Sequence, residues 1–260
     1  MILGDFLKNS ILLLGGSGIL GKAIISSKLF KNLKYPKSYE LNILSKKKLE
    51  TFIIRYKINL ILHCAAYARV SRCERYKKKA YNINVTGTRN IIDAIIKCSK
   101  KINQKIKIVY ISTDGVYPSQ NGNYKENSKL KPYNYYGFTK LEGEKIVQKL
   151  RDYIIIRTRF FNKKKIKFKY SALNIYNSGL EVNILVKYLH KIIKKNFKGI
   201  LNVGQAKISD YQNFKKYKKN LIPCDKSKIF KEINFKIATD ASLNLTKMNK
   251  LLKNNKKYIN

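Results

Sequence analysis

Short apolar runs alternate with stretches of helical spacing over the first 160 residues of the chain. Ser10–Leu14 is strongly apolar and ends in glycines, the pattern of a strand buried on both faces of a parallel sheet. The spacing then predicts a helix from Ile19 to about Asn32, a brief strand over Tyr39–Ile43, and a helix over Ser45–Tyr56 with Ser45 as N-cap. Asn59–His63 reads as a strand. Lys78–Lys100 reads as one long helix whose apolar positions are Ile83, Ile91, Ile92, Ala94 and Ile95. Lys105–Ser112 is a strand, Asn134–Leu150 a helix and Tyr153–Arg157 a strand. Strands alternating with helices predict βαβ units, hence an α/β fold of the Rossmann type with a doubly wound parallel sheet.

Past Arg157 the pattern thins. Phe161–Tyr170 is basic and carries no clear period; Glu181–Lys195 reads as a helix, Gly199–Val203 as a short strand and Leu245–Leu252 as a short helix. The expected division is a dinucleotide-binding domain over 1–160 and a small substrate lobe over 161–260. That lobe is interleaved with the sheet rather than independent.

A chain of 260 residues with 44% hydrophobic content builds a sizeable core and is not disordered. No apolar run approaches the ~20 residues of a membrane-spanning helix. Ile11–Leu14 is too short for the centre of a secretion signal and has no basic segment before it. The expected location is the cytoplasm, away from membranes. Four cysteines without a C-x-x-C spacing, and only two histidines, argue against a zinc site or a disulfide framework. No metal is expected.

The formal net charge of +41 brings polyanions into view. Yet only eight of the 56 basic residues are arginine, and the lysines are spread along the whole chain. Codon bias towards A and T yields that composition, whereas a reader of nucleic acid relies more on arginine forks. A nucleic-acid partner is therefore disfavoured.

Two motifs carry chemistry. Gly15, Gly18 and Gly21 stand in a G-x-x-G-x-x-G spacing between a strand and a helix. There Gly15 allows a tight turn, Gly18 a close approach of backbone to a pyrophosphate, and Gly21 close helix packing. The N–H groups of Ser17, Gly18, Ile19 and Leu20 at the helix start suit an anion. The position that would distinguish NAD from NADP falls in a compressed stretch with Lys34, Lys37 and Glu40, whose basic character leans towards NADP. The second motif is Tyr136-Gly137-Phe138-Thr139-Lys140. Residues four apart share a helix face, so Tyr136 and Lys140 point together, and the ammonium is expected to lower the phenol into a useful range for acid catalysis. The strand ending in Ser112-Thr113-Asp114 delivers the Thr113 hydroxyl to the carboxyl edge of the sheet, where it can hold a carbonyl; a bare strand-end capping role is the alternative.

With both motifs in place the chain resembles the extended short-chain dehydrogenase/reductase superfamily, and most of all the dTDP-4-dehydrorhamnose reductase family of sugar-nucleotide reductases. The resemblance rests on Gly15–Gly21, with Leu14 in place of a threonine; His63-Cys64-Ala65-Ala66-Tyr67; Asn84-Val85-Thr86-Gly87-Thr88; Ser112-Thr113-Asp114-Gly115-Val116-Tyr117; the run Pro132 through Glu144; Arg157-Thr158; and Asp240-Ala241-Ser242-Leu243-Asn244. It implies hydride transfer from NADPH or NADH to the 4-keto carbon of a nucleotide-linked deoxyhexose. Thr113, Tyr136 and Lys140 would form the catalytic trio. Asn42, Ile43, Ala65, Ala66, Tyr67 and Ser112 would line the cofactor, and Asn84 would support the site from behind. A homodimer is left open.

The pattern departs from the family in three places. Asn42 stands where an aspartate near adenine is usual. The pocket-forming segment after Arg157 is short. The nearest counterpart of the family's Asp-Gln-x-Gly-x-Pro-Thr segment is Asn177-Ser178-Gly179-Leu180. Two further readings stay in view: an NAD-dependent nucleotide-sugar epimerase or dehydratase, and a non-catalytic NADP-binding regulatory subunit of the methionine adenosyltransferase β type.

Overall fold

The computed structural model describes residues 10–233 and 235–253. Strand β1 (Ile11–Leu14) leads through the glycine turn into α1 (Ile19–Ser27), then β2 (Leu33–Lys34), α2 (Lys46–Arg55) and β3 (Leu60–His63). Two short helices follow, α3 (Val70–Arg75) and α4 (Lys77–Tyr81), and a π-helical segment, Asn82–Thr86, joins α4 to α5 (Gly87–Lys101). After β4 (Lys107–Thr113) come α6 (Tyr135–Val147) and β5 (Tyr153–Thr158). The remainder is built from short pieces: β6 (Phe160–Phe161), β7 (Tyr170–Ala172), β8 (Tyr176–Asn177) and β9 (Leu180–Glu181), then α7 (Val182–Lys194), β10 (Gly199–Val203), β11 (Ile208–Ser209), α8 (Asp210–Lys215), β12 (Ile222–Cys224), α9 (Lys226–Lys231) and α10 (Thr246–Lys253).

The main sheet runs β10-β5-β4-β3-β1-β2, with every pairing parallel. Successive side chains of a strand face opposite sides, so β1 feeds two cores. Ile11 and Leu13 pack with α1 and α7, while Leu12 and Leu14 pack with residues of α2, α5 and α6. Each fully buried Leu or Ile contributes roughly 1.5–3 kcal/mol by leaving water. The Rossmann-type α/β architecture expected from the pattern is present. The chain leaves β1 for β2 on one side and returns to β3 on the other, which opens a crevice at the carboxyl ends of β1 and β3.

Three expected elements differ. No strand forms over Tyr39–Ile43. The backbone groups there close local turns, Glu40 and Leu41 N–H to the Lys37 carbonyl and Ser45 N–H to the Asn42 carbonyl, and the strand beside β1 lies earlier, at Leu33–Lys34. Helix α1 stops at Ser27 because Lys28 adopts a left-handed cap and donates its N–H to Ile25. The single helix expected over Lys78–Lys100 is interrupted by the π turn. That wider turn shifts the helical phase and sets Asn84 fully inside. Part of the C-terminal third belongs to the main fold: β10 extends the sheet beside β5, and α7 and Met248 of α10 enter the core against β1. No helix among the described residues is long and apolar enough to cross a membrane.

Candidate active site at the carboxyl edge of the sheet

The glycine turn is shaped by contacts that only glycine tolerates. Gly15 has φ +90°, and Gly21 packs so closely that a Cβ would lie 2.2 Å from the Gly15 carbonyl oxygen. Gly18 is different. A Cβ there would meet only that same carbonyl, at 3.3 Å, and Ser17 and Gly18 are exposed. Gly18 caps α1 without a side-chain acceptor, and the first turn holds no acidic residue. The N–H groups of that turn therefore point to an open, anion-suited face, while the Leu20 side chain is buried in the core. This local chemistry fits a pyrophosphate. Gly16 lies against Tyr35, so the end of β2 with Lys34 borders the same crevice.

Asn42 and Ile43 sit on the turn that replaced the expected strand. The Asn42 carboxamide oxygen accepts from Leu44 N–H, the Ile43 carbonyl accepts from Asn90, and the Ile43 side chain lies on Gly87. Ala65, Ala66 and Tyr67 follow β3 and are half-buried. Asn84 ties that segment to α6. Its side chain takes Tyr67 N–H at 2.7 Å, donates to the Tyr67 carbonyl at 3.1 Å and donates to Thr139 Oγ1 at 2.9 Å, while Thr139 donates to the Tyr136 carbonyl.

Helix α6 opens on Asn134, whose side chain accepts Gly137 N–H at 2.8 Å. Glu74 of α3 accepts Tyr135 N–H at 2.7 Å. Gly137 lets the helix rest on the turn after β4, since a Cβ would sit 2.2 Å from the Gly115 carbonyl oxygen. Tyr136 and Lys140 are thereby carried to the ends of β4 and β3. Lys140 is buried with Nζ 3.8 Å from the Tyr110 ring centroid.

The electrostatics reverse one expectation. Burial drives Lys140 down to about 7, with Glu144 and Cys64 opposing the shift. Burial raises the Tyr136 phenol, and Cys73, Asp114 and Tyr133 push it the same way. Lys140 therefore does not lower Tyr136 here. Desolvation outweighs the pairing, and the amine stands over Tyr110. Tyr136 keeps its proton at neutral pH.

Thr113 lies at the end of β4 with its hydroxyl already engaged. Oγ1 accepts Gly115 N–H at 3.1 Å and donates to Asp114 Oδ1 at 3.1 Å, the capping arrangement. Ser112 is turned inward and donates to Glu144 Oε1 at 2.5 Å. Glu144 in turn holds Arg157, whose remaining N–H groups reach Tyr117 and the Glu126 carbonyl. Sequence reasoning passed over this buried network, and also Asp114–Arg159, paired at 2.6 Å. His63, noted in the sequence only as the first residue of His63-Cys64-Ala65-Ala66-Tyr67, is fully buried. That ring donates from Nε2 to Thr88 at 3.0 Å, because Thr88 spends its own proton on the Asn84 carbonyl; Nδ1 is buried without a partner, and burial lowers the ring to about 3. The four cysteines are free thiols. Among the described residues no group of His, Cys, Asp and Glu could hold a metal ion.

A glycine turn at the switch point, a Tyr and Lys one turn apart, and a hydroxyl at the end of β4 are consistent with the short-chain dehydrogenase/reductase superfamily. More narrowly, the model of the RmlD substrate binding domain matches residues 9–186, and the chain belongs to that family. It is 32% identical over 154 residues to dTDP-4-dehydrorhamnose reductase of Aggregatibacter actinomycetemcomitans, covering 57% of this chain and 50% of that one. It is equally 32% identical over 146 residues to methionine adenosyltransferase 2 subunit beta of Danio rerio, covering 52% and 42%. The chain thus spans about half the length of the curated relatives it matches. A hypothetical dTDP-4-dehydrorhamnose reductase from Sulfolobus tokodaii superposes with TM-score 0.77 at 29% identity, covering 93% of this chain and 94% of that chain. The reductase from Bacillus anthracis in complex with NADP superposes with TM-score 0.80 at 23% identity, over 93% and 92%, a likeness of fold.

Proposed function

We propose that the chain is an NAD(P)H-dependent reductase of a 4-keto nucleotide sugar. The observation that supports the reading is a helix, α6, that carries Tyr136 and Lys140 one turn apart, in a fold whose glycine turn has no side-chain cap. Ser17, Ile19 and Leu20 would hold the pyrophosphate through backbone N–H groups, and Gly15, Gly18 and Gly21 would shape the turn, which the Gly18 N–H closes on the Gly15 carbonyl at 3.1 Å. Asn42 and Ile43 would border the adenine end, and Ala65, Ala66 and Tyr67 would line the nicotinamide end with Asn84 and Ser112 behind them. Residues 1–160 would supply the cofactor half and 161–260 the substrate half. Lys34 at the end of β2 favours NADP, as does the NADP complex of the Bacillus anthracis relative.

NADPH supplies the hydride when bound. Tyr136 then gives its phenolic proton to the carbonyl oxygen, a role suited to a phenol whose burial keeps it protonated. Lys140 would hold the nicotinamide ribose. Thr113 must turn its proton from Asp114 to the substrate, or else accept from it.

A second reading, a regulatory subunit that binds NADP without turnover, draws on the equal similarity to the methionine adenosyltransferase subunit and on the engaged Thr113 hydroxyl. Oxidation of NADPH and NADH with a panel of 4-keto nucleotide sugars separates the two. The reductase consumes cofactor, and Tyr136→Phe loses about two to four decades of rate. Unchanged turnover in Tyr136→Phe refutes the catalytic assignment. Cofactor binding with no turnover on any sugar favours the regulatory reading.

A further inference from the structure

We propose that Arg159, clamped between Asp114 and the lobe around Asp210, reads the hydroxyl groups of the substrate's sugar ring and sets specificity for that ring rather than for the diphosphate. The proposal deepens the reading of the crevice as a sugar-nucleotide site and rests on it.

Arg159 follows β5 directly, where Thr158 pairs with Thr113 across the sheet edge. Its Nε donates to Asp114 Oδ2 at 2.6 Å, and the other oxygen of that carboxylate receives the Thr113 hydroxyl. On the far side the lobe closes over its stem. Leu180 N–H reaches the Arg159 carbonyl at 2.9 Å, and a Cβ on Gly179 would lie 3.4 Å from Arg159 Cγ. Asn177 fixes that turn, donating to Asp210 Oδ1 at 2.6 Å and accepting Gly179 N–H at 2.8 Å. Tyr133 and Asp210 both lie within the field of the guanidinium.

In the Asp114–Arg159 pair Arg159 is the accessible partner. The Arg159 side chain is 33% exposed, against 3% for Asp114. Asp114 already offsets the charge of Arg159, which weakens the pull of this cation on a phosphate. A hydroxyl group both donates and accepts. Adjacent ring hydroxyls can accept from the guanidinium N–H groups that Asp114 leaves free and donate to Asp210. The many uncommitted lysines are better suited to the diphosphate.

The test is calorimetric titration of the full chain with thymidine diphosphate and with its glucose conjugate, using NADPH binding and thermal melting as controls. Wild type is expected to bind the conjugate more tightly than the bare nucleotide. Arg159→Gln and Arg159→Lys should erase about ten- to a hundredfold of that increment, the range for hydrogen bonds to a charged group, and leave thymidine diphosphate and NADPH binding unchanged. If Arg159→Gln does not fold, Asp210→Asn carries the same expectation. Equal weakening of both nucleotides assigns Arg159 to the diphosphate and overturns the proposal. So does an undiminished increment, and so does a wild type that binds neither nucleotide. A wild type with the predicted Arg159 dependence but no NADPH oxidation keeps this inference and loses the reductase reading. Turnover of a keto sugar with a KM indifferent to Arg159→Gln does the reverse.

Discussion

Glu144 of α6 and Arg157 of β5 meet as a forked ion pair in the interior, with Nη2 2.7 Å from Oε2 and Nε shared between both carboxylate oxygens; the side chains are 0% and 1% exposed. The pair fastens the helix that carries Tyr136 and Lys140 to the strand that leads to Arg159. Ser112 and Tyr117 complete its hydrogen bonds.

A buried pair of this kind is costly to break and much less costly to replace. Glu144→Ala leaves Arg157 charged and unpaired and should destabilise the fold by about 3–5 kcal/mol. The double change Glu144→Leu with Arg157→Met should recover most of that loss. Urea unfolding of the three proteins checks it. A single-variant cost below about 1 kcal/mol would mean that water reaches the pair.

Lys140 makes stability depend on pH with a definite sign. The folded chain releases this proton near 7, whereas the unfolded chain keeps it to its ordinary 10.5. Between those values the unfolded state binds the extra proton, so stability rises with pH through the window. The full span is worth on the order of 5 kcal/mol. Lys140→Met removes this contribution. The cofactor-free variant should exceed wild type in stability at neutral pH, and the gap should close towards about pH 10. A gap that does not change with pH would show that Lys140 stays charged in the fold.

Asn84 bridges the Tyr67 segment and Thr139 of α6. Asn84→Ala strands the Tyr67 N–H and should cost about 1–3 kcal/mol, the price of a buried group left unsatisfied. If the proposed function holds, the rate should fall more than the affinity for NADPH, because the tie positions Tyr136 through the Thr139 hydroxyl. Equal loss of both would assign Asn84 to cofactor binding.

The glycines of the turn should separate folding from binding. Gly21→Ala collides with backbone at 2.2 Å and should lower the melting temperature sharply. Gly18→Ala meets only a 3.3 Å contact and should change stability by less than about 1 kcal/mol. It should nevertheless weaken NADPH binding by about tenfold or more, by obstructing the approach of a pyrophosphate to the backbone. Unaltered NADPH affinity in Gly18→Ala would move the anion site elsewhere.

The sequence by itself determined the sheet, the glycine turn and the helix that brings Tyr136 and Lys140 to one face. These depend on local periodicity, on an Asn134 cap and on glycines at fixed spacing, all of which act over a few residues. It did not determine the π turn that buries Asn84, because phase shifts within a helix leave no mark on composition. Nor did it reveal that the turn over Tyr39–Ile43 would close on itself, since turn and strand compete for the same N–H groups and the tertiary setting decides between them.

The electrostatics follow from packing between distant segments. Lys140 four residues from Tyr136 reads as an ammonium lowering a phenol, but burial around Tyr110 and His63 costs the charge more than the pairing returns. Glu144 with Arg157, and Asp114 with Arg159, are separated by 13 and 45 residues. The first arises only when α6 packs on β5, the second only when β4 and β5 pair. The substrate half depends almost wholly on such long-range contacts, and for that reason its chemistry became legible only once the chain was folded.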